Sequence, residues 1–181
     1  VRALAVDGLD GLITCAGLST MTADTRRIVA VNYFGSAALL DGLRELLARG
    51  DRPAAVALSS FALLLPLALA DVVAACLEGD EASATALLPD PPQAGDGRVA
   101  YASSKLAIAR YVRGQAPREE WAGAGIALNA IAPAVTRTPM IAPQLATAAG
   151  TRAKLSAPRP QIFSVPRMSE AAPTSFVNRV K

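Results

Sequence analysis

Tyr101 and Lys105 stand four residues apart in VAYASSKLAIARYVR, residues 99–113, a stretch whose spacing predicts a helix. Side chains at that separation share one helical face, one turn apart. A free phenol, with a pKa of about 10, yields its proton reluctantly, and an ammonium one turn away favours the phenolate. That brings a tyrosine toward useful acid–base strength. The edge of an ordinary core offers the same pair, so these two residues alone do not choose between chemistry and packing. The chain has no histidine, which removes Ser-His-Asp and Cys-His catalysis and argues against a zinc site. No metal site is expected. Cys15 and Cys76 lie far apart in different contexts and read as two buried thiols.

A Tyr–Lys face needs elements to aim it. With 181 residues the chain is long enough for one domain with a sizeable core, and 52% apolar against 18% charged residues marks it as folded rather than disordered. LDGLITCAG, 9–17, reads as a buried strand and its turn. A helical pattern runs from about Asp24 to Arg49, with Ile28, Val31, Leu39, Leu43, Leu46 and Leu47 on the core-facing stripe and Gly50 as the stop. PAAVALSS, 53–60, reads as a second buried strand, and IALNAIAP, 126–133, as a third. Between Ser60 and the Tyr101 helix lies a long segment, 61–98, with one or two helices around Asp71 to Leu88 and a loop at PDPPQAGDG. Its apolar run FALLLPLALA, 61–70, is expected to be buried against the body or a second subunit.

Strands alternating with helices predict an α/β fold built on a parallel sheet. In such sheets ligands sit just past the carboxyl ends of the strands. Those ends here are Cys15-Ala16-Gly17, Ser59-Ser60, and Pro133 to Thr138, and Tyr101 opens the helix that follows the second.

In this order CAG, VNYFG, LSS, YASSK and APAVTRTPM resemble the landmarks of the short-chain dehydrogenase/reductase family. DGLITCAGL, VNYFGSAALLDGL, RPAAVALSS and the long segment before Tyr101 resemble its 3α-hydroxysteroid dehydrogenase/carbonyl reductase branch. The resemblance covers roughly residues 9–140. It implies an NAD(P)-dependent oxidoreductase that interconverts a secondary alcohol, a hydroxysteroid in that branch, and a ketone, with NAD ahead of NADP. Tyr101 would be the general acid/base, Lys105 would lower its pKa and hold the nicotinamide ribose, Ser60 would orient the carbonyl, and Asn32 would anchor a water. Cys15, Ala16 and Gly17 would lie against the cofactor ribose; Pro133 and Thr138 would border the nicotinamide. A homo-oligomer is implied too.

The sequence also departs from that pattern. No Gly-rich phosphate turn follows a strand, and Ala134 replaces the family's glycine after Pro133. The fold expected is therefore a partial doubly wound, Rossmann-like parallel sheet with flanking helices, lacking the first βαβ units and inactive as it stands. The alternative is a catalytically inactive remnant serving as an interaction or structural module. Residues 1–140 form the expected domain, with 61–98 inserted, and 141–181 a divergent, basic tail without a final strand. That tail holds six basic residues and one acid, so residues 1–140 are left slightly acidic. A basic tail without an aromatic stripe does not suit nucleic acid. No apolar run is long enough to span a bilayer and no signal peptide is visible, so a cytoplasmic protein is expected.

Overall fold

A computed structural model describes residues 7–90, 92–134 and 146, and the backbone of 161–164. Short runs rich in Ala, Val, Leu and Ile form the strands β1 (Gly11–Thr14), β2 (Ala54–Leu58) and β3 (Ala127–Ala132). They pair in parallel, Gly11 opposite Ala54 and Ala54 opposite Ala127. A fourth strand, β4 (Gln161–Ser164), joins antiparallel, with Asn129 opposite Ser164 and Ala132 opposite Gln161. The sheet order is β1-β2-β3-β4. No final strand was expected after residue 140. QIFS is a four-residue segment between Pro160 and Pro166 in an aperiodic stretch, so only its partner identifies it. The rest of 141–181, Ala146 apart, lies outside the described residues.

β1 ends the row of described strands and is not buried as the sequence suggested. Ile13 is 64% exposed. A short apolar run reads the same whether one or both of its edges are paired.

Asp24 caps α1 (Thr25–Val29), its carboxylate accepting from the Arg27 N–H at 3.0 Å. The helix passes through a π-helical stretch, Ala30–Gly35, into α2 (Ser36–Leu47). That stretch explains a second correction. Leu40 is fully buried, whereas Leu39 is 39% exposed. The wider π turn takes up an extra residue, so the buried stripe advances by one position beyond it.

After β2 a 3₁₀ turn (Phe61–Leu64) leads to α3 (Ala70–Glu78) and α4 (Glu81–Ala86). Gly79, at φ +78, ends α3 in the left-handed conformation that glycine adopts freely. The run 61–70 is only partly covered: Ala62 is buried, but Leu64, Leu65 and Leu69 are exposed. α5 (Asp96–Gln115) packs on α1 and α3 and lies against the sheet; the segment that the sequence marked as inserted is tied to it by the Leu69 N–H, which donates to Ser103 Oγ at 2.9 Å. A π-helical turn, Glu119–Gly123, then carries the buried Trp121 into β3. Ile28, Leu40, Val72, Ile108, Val112 and Leu128 lie in the core between sheet and helices.

Candidate functional site

Asn32 sits in the π-helical stretch and is fully buried. Its side chain grips the backbone of the loop after β1. Oδ1 accepts from the Leu18 N–H at 2.7 Å, and Nδ2 donates to the Leu18 carbonyl at 3.1 Å. Nδ2 also reaches Ser104 Oγ at 3.4 Å, and that hydroxyl donates to the Tyr101 carbonyl at 2.8 Å. A buried amide needs such partners. Here they tie the loop, the π turn and α5 together.

Lys105 is 5% exposed. Its ammonium donates to the Leu58 carbonyl at 2.8 Å and stands 5.7 Å from the centre of the Tyr101 ring. Burial pulls its pKa down to about 8 from 10.5, because desolvation penalises the charged form. Its backbone is held as well: Ser59 Oγ donates to the Lys105 carbonyl at 2.7 Å. Two bonds thus fasten the Lys105 turn of α5 to Leu58, the last residue of β2, and to Ser59 after it, immediately before Ser60.

Ser60 caps the 3₁₀ turn, its hydroxyl accepting from the Ala62 N–H at 3.3 Å. The next amide, Phe61 N–H, donates to the Pro133 carbonyl at 3.0 Å, and Ser59 N–H to Ile131 at 2.8 Å. The carboxyl ends of β2 and β3 are therefore joined at this point, and Pro133 sits beside Ser60 in the chain path.

Gly17 closes the group. A Cβ built on it would stand 3.3 Å from Asn32 Oδ1 and 3.7 Å from Lys105 Nζ. Asn32, Lys105, Tyr101 and Gly17 are thus neighbours, with Ser60 and Pro133 at the adjoining strand ends. Cys15 and Ala16 are exposed in the same loop. Cys15 was read as buried; only Cys76 is. A short strand followed by a turn gives its last cysteine no cover from the sheet. Thr138 lies outside the described residues. Sequence reasoning placed Ser59 at a strand end without its bond to Lys105, and missed Ser104 and the Leu18 backbone, whose roles exist only once distant segments meet. The doubled serines of LSS and YASSK were the visible trace of Ser59 and Ser104.

Among the described residues no cluster of His, Cys, Asp or Glu could hold a metal ion, and no helix is long and apolar enough to cross a membrane.

No family model matches the chain. It is 42% identical over 135 residues to a protein of Comamonas testosteroni named 3-alpha-hydroxysteroid dehydrogenase/carbonyl reductase, covering 74% of this chain and 51% of that one. It also resembles the crystal structure of a 3-alpha-hydroxysteroid dehydrogenase from Pseudomonas sp. B-0831 complexed with NADH. The TM-score there is 0.70 at 41% identity, over 82% of this chain and 57% of the other. The chain spans about half the length of the curated relative it matches.

Proposed function

This chain belongs to the short-chain dehydrogenase/reductase family, and we propose that it carries the acid–base half of an NAD(P)-dependent oxidoreductase acting on a secondary alcohol or its ketone. The observation that carries the reading is the Lys105 ammonium, buried and held beside the Tyr101 ring by the Leu58 carbonyl. Folding alone gives no reason to bury a cation there, since an uncompensated buried charge is costly.

In the reducing direction Tyr101 donates its phenolic proton to the ketone oxygen as the carbonyl becomes an alcohol. In the oxidising direction it takes that proton back. Lys105 stabilises the phenolate in between, and solvent restores the proton. Ser60, at the end of β2, orients the carbonyl oxygen by hydrogen bonding. Asn32 keeps its amide on Leu18 and so holds the loop over the pair; the water assigned to it by family resemblance belongs to the same proposal.

The residues fit the nicotinamide-ribose end of a dinucleotide. The Lys105 ammonium has three protons and gives one to Leu58. Gly17 leaves a niche beside it that a Cβ would fill. Cys15, Ala16 and Gly17 would line the ribose, and Pro133 with Thr138 the nicotinamide. When bound, that group supplies or accepts the hydride. NAD is the expected form, on the strength of the NADH-bound neighbour, and a hydroxysteroid is the substrate suggested by the names of the relatives.

The test is ketone reduction followed by loss of NADH or NADPH, in the protein extended by the nucleotide-binding half that its relative carries and in Tyr101→Phe of the same length. The variant is expected to lose about 10²–10⁴-fold in turnover, the usual contribution of general acid–base catalysis. No turnover by the unsubstituted protein, or equal turnover by both, would favour the non-catalytic module instead.

A further inference from the structure

Gly97, Tyr101 and Lys105 follow one another at four-residue intervals in α5, so they lie on one face in successive turns. The loop after β1 touches this face at both ends. Gly17 stands against Lys105 Nζ, and the Thr20 carbonyl rests on Gly97. A Cβ built on Gly97 would meet that carbonyl oxygen at 2.3 Å and its carbon at 3.2 Å. Both atoms are backbone, so neither can turn aside as a side-chain tip does.

The loop is short between these contacts: Thr20 follows Gly17 by three residues, a stretch that reaches at most about 10–11 Å even when extended. Leu18, in the middle, is held by both of its backbone groups to Asn32. A push at Thr20 therefore bears on the Leu18–Asn32 bonds and reaches Gly17 where they give way. The stretch passes the turn that carries Tyr101.

Helix propensity gives no reason for glycine here, because Ala is the better helix former. Gly114 in the same helix has nothing within 4 Å of a built Cβ among the described residues. It is the natural control.

We propose that Gly97 is a positioning residue for Tyr101: its bare Cα lets the Thr20 carbonyl rest on α5, which fixes the height of the Gly17–Thr20 stretch over the phenol and the width of the crevice a carbonyl substrate enters. This rests on the acid–base reading of Tyr101 for its functional consequence, but the geometry can be read without turnover.

The experiment compares Gly97→Ala, Gly114→Ala and Thr20→Gly by NMR of the chain itself. Two signals are followed: hydrogen exchange of the Leu18 amide and titration of the Lys105 ε-ammonium. Gly97→Ala should speed Leu18 exchange at least about tenfold, as expected when a docked loop opens locally. It should also move the Lys105 midpoint up from about 8 toward 10.5 as water reaches the ammonium. Gly114→Ala should match the unsubstituted chain in both. Thr20→Gly adds no volume and loosens the loop from its own side, so it should shift both signals in the same direction even if Gly97→Ala fails to fold. In a ketone-reduction assay of the protein extended by the nucleotide-binding half, Gly97→Ala should lower kcat by up to about 10²-fold, the cost of misplacing a reacting group. Leu18 exchange and a Lys105 midpoint unchanged in Thr20→Gly and in any folded Gly97→Ala would overturn the proposal. Full turnover by Tyr101→Phe would overturn the acid–base reading instead, with both NMR signals still tracking Gly97.

Discussion

Lys105 makes the stability of this fold respond to pH in a way that can be separated from the rest. Its pKa is held at about 8, below 10.5, so between those values the unfolded chain binds its proton more tightly than the folded one. Stability therefore rises with pH through that window. Cys76 acts in the opposite sense. Burial pushes its thiol up to about 12 from 9.0, so above pH 9 the unfolded chain releases a proton that the folded chain keeps. Tyr33 and Tyr111, both raised chiefly by burial, extend that loss above pH 10. The sum is a rise from about pH 8 to 9, a plateau to about pH 10 where the two cancel, and a fall above that as the tyrosines join. Urea midpoints across that range should show it, and Lys105→Met should remove the rise while leaving the fall. Taken over its whole window, the Lys105 shift amounts to roughly 3 kcal/mol. A curve that declines from pH 8 onward in the unsubstituted chain would contradict the buried ammonium. The sequence made Tyr101 and Lys105 visible because four-residue spacing in a helix already fixes a shared face. It could not show that the ammonium rests on the Leu58 carbonyl, since that contact needs β2 and α5 to meet.

The elements were legible where their own pattern decides them. Strands β1 to β3 and helix α5 fell within a few residues of the stretches read for them, because apolar runs and Gly or Pro boundaries are local signals. The π stretch in 30–35 was invisible, since an extra residue in one turn changes neither composition nor helix propensity. Its effect appears only downstream, in which leucine is buried. This yields a sharp comparison. Leu40→Ala should cost about 2–5 kcal/mol, as large-to-small changes in a packed core do, while Leu39→Ala should stay within about 1 kcal/mol. Chemical denaturation of both variants measures it. A straight helix through 24–49 would reverse the order. Gly97 was equally hidden: next to PDPPQAGDG a glycine reads as a loop residue, and its contact with Thr20 depends on two segments far apart in the sequence.

At the scale of the whole molecule the sheet, α5 and the α3–α4 pair share one core, in which Cys76, Leu88, Ile108 and Leu128 are all buried. Trp121 is the only tryptophan and is fully buried where the second π turn enters β3. Its fluorescence should therefore change together with far-UV circular dichroism in a single denaturant transition, the mark of one cooperative unit. An earlier loss of helical signal would mean that α3 and α4 melt independently of the sheet. The parallel pairing also sets an order of events as the chain leaves the ribosome. Gly11 meets Ala54 after a modest loop has closed, but Ala54 must wait for Ala127, with all of α3, α4 and α5 synthesised between them. Non-local pairing of that kind folds slowly, because loop closure precedes any reward. During that wait the β2 edge is open, its backbone N–H and C=O groups still unpaired on the side that Ala127–Ala132 will cover. Emerging chains halted just before residue 127 should thus be the species that chaperones bind most.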